Sequence, residues 1–339
     1  MPDVAVLSLD FGKNQSLSDW IAHPDTKLLL SNRRLAALGF SDRITDQSPE
    51  AGSIISVPAG TDKAVLLTLI QGNPNALGVL DAEFVAGLTP AGTSILSYLK
   101  LAQALPAALM KPASSLEEPS SVAPAVSLLD YHHTLANSLQ RVGDTPIPLE
   151  GLGQCRMHLF RDALGNESHL AVEVGNRDPA GASTLVRVHS SCVTGDIFNS
   201  QRCDCGHQLH GALRQMAKEG HGVLVYLAQE GRGIGLNNKL KSYLLQQAGL
   251  DTVEGNLALG YEDDERDFTY ARRILSLLGV GQVRLLTNNP AKVKALQGNG
   301  INIIKRIPLI ELHSELSTSY LTTKATKSGH LIDVSNSTD

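Results

Sequence analysis

Between residues 222 and 307, short apolar runs alternate with helical stretches of roughly 10–14 residues, and this alternation restricts the fold more than any other feature. Gly222–Gln229 contains the run Val-Leu-Val-Tyr-Leu and reads as a buried strand. Asn238–Gln247 reads as a helix that stops at Gly249, where a left-handed residue is natural. Glu265–Leu278 places Phe268, Ala271, Ile274, Leu275 and Leu278 on one helical stripe before Gly279. Gln282–Thr287 is again a strand, Asn289 and Pro290 cap and open a helix carrying Val293 and Leu296, and Ile301–Ile307 is the next strand. Strands alternating with helices in this way predict a layered α/β fold rather than a barrel of short strands.

The region before it has a different texture. Residues 1–110 are rich in Leu, Ala and Gly. Ala64–Ile70 reads as a strand and Ser94–Met110 as a helix with Leu96, Leu99, Leu101 and Leu105 on its apolar face. Residues 111–125, KPASSLEEPSSVAPA, carry Pro, Ser and Ala without periodicity and read as a linker. A chain of 339 residues accommodates two domains with cores of their own. The expected plan is an N-terminal domain at 1–110, a linker at 111–136, a catalytic domain at 137–333 and a tail at 334–339.

Net charge is −5 and the isoelectric point near 6.1, so no global basic field is available to hold a nucleic-acid backbone. A local group of Arg and Lys still suffices for a nucleotide. The start, MPDVAVLSLDFGKNQSLSDW, lacks a basic segment followed by an apolar one, and no apolar run approaches the roughly 20 residues that cross a bilayer. The expectation is a soluble, cytoplasmic protein without membrane or nucleic-acid partners.

Three of the four cysteines, Cys192, Cys203 and Cys205, are close in sequence, in Arg187-Val-His-Ser-Ser-Cys192-Val-Thr-Gly-Asp and Cys203-Asp-Cys205-Gly. In a reducing compartment such a group reads as metal binding rather than a disulfide framework. Zinc favours thiolates, and a catalytic zinc takes three protein ligands and leaves one position open. A fourth ligand from Cys155, His189, His207 or His210 would make the site structural, and spacing does not exclude one. The competing reading is three buried thiols that act as small hydrophobes.

Two loops suit phosphate. Gln229-Glu-Gly-Arg-Gly-Ile-Gly235 lies between a strand and a helix, where glycines let amides approach an anion and Arg232 offers a planar donor fork. A tight packed turn explains it equally. Thr287-Asn-Asn-Pro-Ala-Lys292 puts a hydroxyl and a lysine at a helix start, against the alternative of ordinary capping with Lys292 solvated. Gly260-Tyr-Glu-Asp-Asp264-Glu265-Arg266-Asp267-Phe268 crowds carboxylates around a guanidinium. Such crowding can tune a proton acceptor, while a helix capped by Asp264 explains the same pattern.

Taken in order, RVHSxCxTGD, RCDCGxQL, QEGRGIGL, DTVEGN, DERDF and RLLTNNPxK resemble the signature set of GTP cyclohydrolase II over roughly residues 141–333. The resemblance implies a three-layer α/β/α catalytic domain with a mixed sheet, preceded by a smaller α/β domain. It implies Zn2+ on Cys192, Cys203 and Cys205, activating water for attack on C8 of guanine, and Mg2+ on the triphosphate. Arg187, Val188, His189, Ser190, Ser191, Gln208, Glu230, Gly231, Arg232, Thr252, Thr287 and Lys292 would contact GTP. Asp264 would accept a proton, Arg266 would act at the α-phosphate, and Tyr243 would line the site. Formate, pyrophosphate and a diaminopyrimidinone ribosyl phosphate would be the products, at the entry to riboflavin biosynthesis, and a homodimer the common assembly.

Ser191 stands where many members carry Glu, and Leu227-Ala228 replaces a polar pair, which bears on substrate preference. The N-terminal region resembles extensions of bacterial members more weakly. It lacks the acidic motif of a dihydroxybutanone phosphate synthase and reads as non-catalytic. Two rival readings remain: a ring-opening relative with another product or base, and a zinc-stabilised nucleotide sensor.

Overall fold

The computed structural model describes residues 4–9, 14–44, 46, 48, 51–58, 60–74, 84–87, 90–115, 131–165, 168–176 and 183–309. Most of the linker and the C-terminal tail read from the sequence lie outside these residues. The strands are β1 (Val4–Ser8), β2 (Lys27–Ser31), β3 (Gly52–Ser56), β4 (Phe84–Gly87), β5 (Ala107–Pro112), β6 (Gln140–Leu149) and β7 (Gly153–Arg161). They continue with β8 (His169–Gly175), β9 (Thr184–Ser190), β10 (His221–Leu227), β11 (Gln282–Leu286) and β12 (Asn302–Ile307). The helices are α1 (Asn14–Ala22), α2 (Asn32–Ala37), α3 (Lys63–Gln71), α4 (Pro90–Leu101), α5 (Tyr131–Ser138) and α6 (Val193–Asp196). After them come α7 (Cys205–Glu219), α8 (Gly235–Gln247), α9 (Thr252–Ala258), α10 (Thr269–Leu277) and α11 (Pro290–Leu296). Among the described residues no helix is long and apolar enough to cross a membrane.

The chain divides into two compact units, one of Met1–His132 with Gly233–Glu265 and one of His133–Arg232 with Arg266–Asp339. In the first, five strands form an antiparallel sheet in the order β1-β5-β2-β3-β4. Leu28, Leu30, Leu35, Leu66, Ile70, Leu105 and Leu109 make its core, and Ile234, Leu245, Ala258, Leu259 and Tyr261 belong to the same cluster. Helices α8 and α9 therefore complete a core begun by the N-terminal region.

In the second unit seven strands run β12-β11-β9-β10-β8-β7-β6, parallel from β12 to β10 and antiparallel from β10 to β6. Helix α7 covers one face, where Ala212 and Met216 meet Val172, Val174, Leu185 and Leu224. Val186, Val188, Val223 and Val225 alternate to the other face and are buried as well. Burial on both faces gives the central strands their near-continuous apolar runs.

Three elements differ from the sequence reading. Residues 64–70 are helical, not extended: the Asp62 carboxylate accepts from the Ala64 amide at 2.6 Å, and Leu66, Leu69 and Ile70 fill one face. Helix α4 stops at Leu101, Gln103 turns left-handed at φ 53°, and residues 107–112 form β5. Pro106 disfavours helix at the residue before it and so separates the two. Helix α10 begins at Thr269 rather than near Glu265, because the Asp267 carboxylate takes the Thr269 amide at 2.8 Å.

Candidate active site

The C-terminal end of β9 leads directly into the cysteine cluster. Cys192 precedes the single turn α6, Cys203 lies in the following loop, and Cys205 opens α7. The three sulfurs lie within 4.8 Å of one another, and Cys192 and Cys203 are 3.6 Å apart. Bonds of about 2.3 Å to a tetrahedral zinc would set sulfurs about 3.8 Å apart, so the spacing suits such an ion. Gly195 makes the room: a Cβ there would stand 2.7 Å from the Cys203 sulfur and 3.2 Å from that of Cys192.

The donor set also asks for a cation electrostatically. The Cys192 thiol beside it, with burial, pushes Cys203 up to about 11, and Cys205 is driven up by Cys192, Cys203 and burial. Crowded thiols resist ionising together, and a divalent ion bonded to all three removes that resistance. Cys155 is elsewhere, in the apolar core between β7 and α7, where burial raises its thiol.

Two carboxylates fix the loop that carries Cys192. Asp196 accepts from the Cys192 amide at 2.9 Å and from the Tyr226 hydroxyl at 2.9 Å, and His189 Nε2 lies 3.1 Å from its other oxygen. The His189 and Tyr226 rings stack at 5.6 Å. Burial lowers the His189 pKa, against the pull of Asp196. Glu230 accepts from the Val193 amide at 2.6 Å and from its neighbour Gly231 at 2.8 Å, tying the Gly-rich turn to the same loop. Within that turn Gly231 and Arg232 are both left-handed, at φ 63° and 59°. A left-handed arginine is a strained conformation, of the kind that concentrates at ligand sites.

Cationic groups gather beside the cluster. Arg187 is buried in β9, donates to the Leu286 carbonyl at 3.0 Å and to Gln208 Oε1 at 2.5 Å, and its pKa is lowered by burial to about 10. Gln208 donates in turn to Asp204, the residue between the paired cysteines. The Arg187 Nε and the Ser190 hydroxyl are buried without a hydrogen-bond partner among the described residues. Lys292 is not solvated: it is 5% exposed and donates to the Val188 carbonyl at 3.0 Å. Arg266 and Lys292 both face the Phe268 ring, at 5.3 and 5.4 Å. The Thr287 hydroxyl accepts from the Asn289 amide at 3.0 Å, and Asn289 caps α11 through the Ala291 amide at 2.8 Å.

Ser191 is held through its backbone, which donates to the Leu227 carbonyl at 2.8 Å, while the Leu227 side chain is fully buried. Thr252 and Asp264 are in the first unit, with Thr252 opening α9 and Asp264 exposed after it. Tyr243 in α8 has the Lys239 ammonium over its ring at 5.9 Å. Asp264 does not cap α10, which starts five residues later. The crowded carboxylates are separated by partners: Glu262 pairs with Arg33 and Glu265 with Lys100, each at 2.7 Å. The sequence gives Asp196, Asp204, Tyr226 and Phe268 no part in the site, with Tyr226 and Phe268 placed only in a strand run and on a helical stripe. Asp196 and Asp204 stand inside the quoted cysteine motifs, which was the available signal, whereas the contacts of Tyr226 and Phe268 leave none.

A sequence model of GTP cyclohydrolase II matches residues 140–308. The GTP cyclohydrolase-2 of Proteus mirabilis is 47% identical over 195 residues, covering 57% of this chain and 96% of that protein. The GTP cyclohydrolase-2 of Azospirillum brasilense is 42% identical over 248 residues, 70% of this chain and 64% of that one. The riboflavin biosynthesis protein RibBA of Bacillus velezensis is 47% identical over 205 residues, 60% of this chain and 51% of that one. The chain thus spans between half and two-thirds of the last two relatives.

Proposed function

Because the chain belongs to the GTP cyclohydrolase II family, we propose that it hydrolyses GTP, opening the guanine imidazole ring and releasing formate and pyrophosphate. A diaminopyrimidinone ribosyl phosphate remains, the first intermediate toward riboflavin. The observation that carries the reading is the three-sulfur cluster set beside Arg187, Arg266 and Lys292. It supplies a metal position and anion-binding charge in one unit. Cys192, Cys203 and Cys205 would hold zinc, which when bound supplies Lewis-acid activation of water for attack on C8.

The chain's own groups divide the remaining work. Arg187 offers its buried Nε, and Ser190 its buried hydroxyl, as donors to the nucleotide. Lys292, the amides at the start of α11 and Arg232 oppose charge along a triphosphate that also carries Mg2+. Arg266 stabilises charge at the α-phosphate as pyrophosphate departs. A guanidinium keeps its proton and its lone pairs are delocalised, so it suits this role better than that of a nucleophile. Asp264 accepts a proton during ring opening. Asp196 and Glu230 hold the backbone of the metal loop, and Glu230 does so from within the turn that faces GTP.

The test is product analysis after incubation with GTP and magnesium. Formate, pyrophosphate and a pyrimidine monophosphate are expected, from protein holding one zinc per chain. Each of Cys192→Ser, Cys203→Ser and Cys205→Ser should lose the zinc, and Cys155→Ser should keep it. A formylated triphosphate product would place the chain among ring-opening relatives. Zinc and GTP bound without reaction would make it a sensor.

A further inference from the structure

Helices α8 and α9 and the acid segment after them belong to the core of the N-terminal region, and the contacts concentrate on one stretch. Arg34, 1% exposed, sends its guanidinium between two helix ends. It donates to the carbonyls of Thr68, Leu69 and Gly72 at the end of α3, at 2.9, 2.7 and 3.0 Å, and to that of Ala258 at the end of α9. A cation at two helix C-termini supplies donors to terminal carbonyls, of which Thr68 also accepts from the Gly72 amide, and complements both dipoles. Two residues on, the Ser31 hydroxyl donates to the Gly260 carbonyl at 2.7 Å. The Tyr261 hydroxyl, fully buried, donates to the Ala104 carbonyl at 2.6 Å. Arg33 then pairs with Glu262 and Lys100 with Glu265, both at 2.7 Å.

Thus five of the eight residues from Ala258 to Glu265 are tied to residues 31–104. Asp264 lies inside the last of these ties. Glu262, Asp263, Asp264 and Glu265 are consecutive carboxylates whose mutual repulsion would spread the backbone. Arg33 and Lys100 neutralise the outer two. Glu265 has a second task, because the oxygen that meets Lys100 also accepts from the Glu262 amide at 2.8 Å and closes the turn.

We propose that the N-terminal region is a positioning brace for the segment that carries Asp264, with Arg33, Arg34 and Lys100 as its positioning residues. This rests on Asp264 serving the reaction proposed above. The brace explains a region with no catalytic motif: its task is to hold one carboxylate in place. Arg33 and Lys100 do not themselves meet the reacting atoms. They act through Glu262 and Glu265.

The full chain tests this through Arg33→Gln combined with Lys100→Gln, with Lys100→Gln alone as a milder form. Turnover of GTP, zinc content and hydrogen–deuterium exchange over residues 258–265 are measured together. Exchange in that stretch should rise at least tenfold, and kcat should fall by about 100-fold, the order expected when a reacting group is misplaced by about an ångström. KM for GTP should stay within threefold, zinc should remain at one per chain, and Arg33→Lys with Lys100→Arg should restore at least half of kcat. A merely structural role would lower the melting temperature without moving kcat of the folded protein. Unchanged exchange, or kcat within threefold of wild type in the double variant, overturns the brace. If the wild-type chain itself fails to open GTP, the proposed function and the catalytic purpose of the brace fall together. Exchange in the same variants then decides separately whether Arg33 and Lys100 hold the segment.

Discussion

Arg34 is the single residue whose loss should most damage the first unit. Arg34→Met keeps much of the buried stem and removes every donor. The carbonyls of Leu69, Gly72 and Ala258 would then lose the Arg34 donor, while that of Thr68 keeps the Gly72 amide at 2.9 Å. Each orphaned buried acceptor costs about 1–3 kcal/mol. Against this stands relief from burying a guanidinium, a burden visible in the Arg34 pKa, which burial lowers to about 10. Set against the two fully buried acceptors, Leu69 and Ala258, this leaves a net destabilisation of about 2–4 kcal/mol. For a unit of this size that corresponds to roughly 10 °C in melting temperature. Trp20, the chain's one tryptophan, is buried in the same core, so its fluorescence during urea unfolding reports this unit. Arg34→Lys should lose about half as much, since an ammonium lacks the planar fork that reaches both helix ends. A loss under about 1 kcal/mol for Arg34→Met would refute the account, showing that water or rearrangement satisfies those carbonyls.

His169 gives a pH prediction: burial lowers its pKa to about 4, and its Nδ1 accepts from the Ala228 amide at 3.1 Å, which requires the neutral ring. The unfolded chain binds this proton first, so stability should fall by up to about 3 kcal/mol as pH drops from 6.5 to 4. His169→Gln should flatten that slope in urea titrations, and an unchanged slope would sink the assignment. A chain beginning at residue 126 should leave Ile234, Leu245, Leu259 and Tyr261 without their core, at about 6–12 kcal/mol of lost burial. It should be insoluble or cleaved within 235–262 under limited proteolysis, and protection of that stretch would contradict the shared core.

What the sequence determined by itself was local or short-range. Periodicity located β10, β11, α8 and α11, because a buried strand and a helix with one apolar stripe write their geometry into composition, and the apolar run 301–307 located the more exposed β12. Asn289 and Pro290 marked the start of α11 because capping involves only neighbours, and the three cysteines were close enough in sequence for their sulfurs to be expected together. Tertiary structure decided the rest. Residues 64–70 carry an apolar pattern that suits strand or helix, and the core that receives Leu66 and Ile70 selected helix. The acid segment offered five carboxylates and one arginine. Its partners, Arg33 and Lys100, lie 229 and 165 residues away from Glu262 and Glu265. Composition drew a boundary at a Pro/Ser-rich stretch, yet α8 and α9 share a core with residues before it. Amphipathic patterns state that a face will be buried. Which face it meets is decided only when distant segments compete for the same apolar surface.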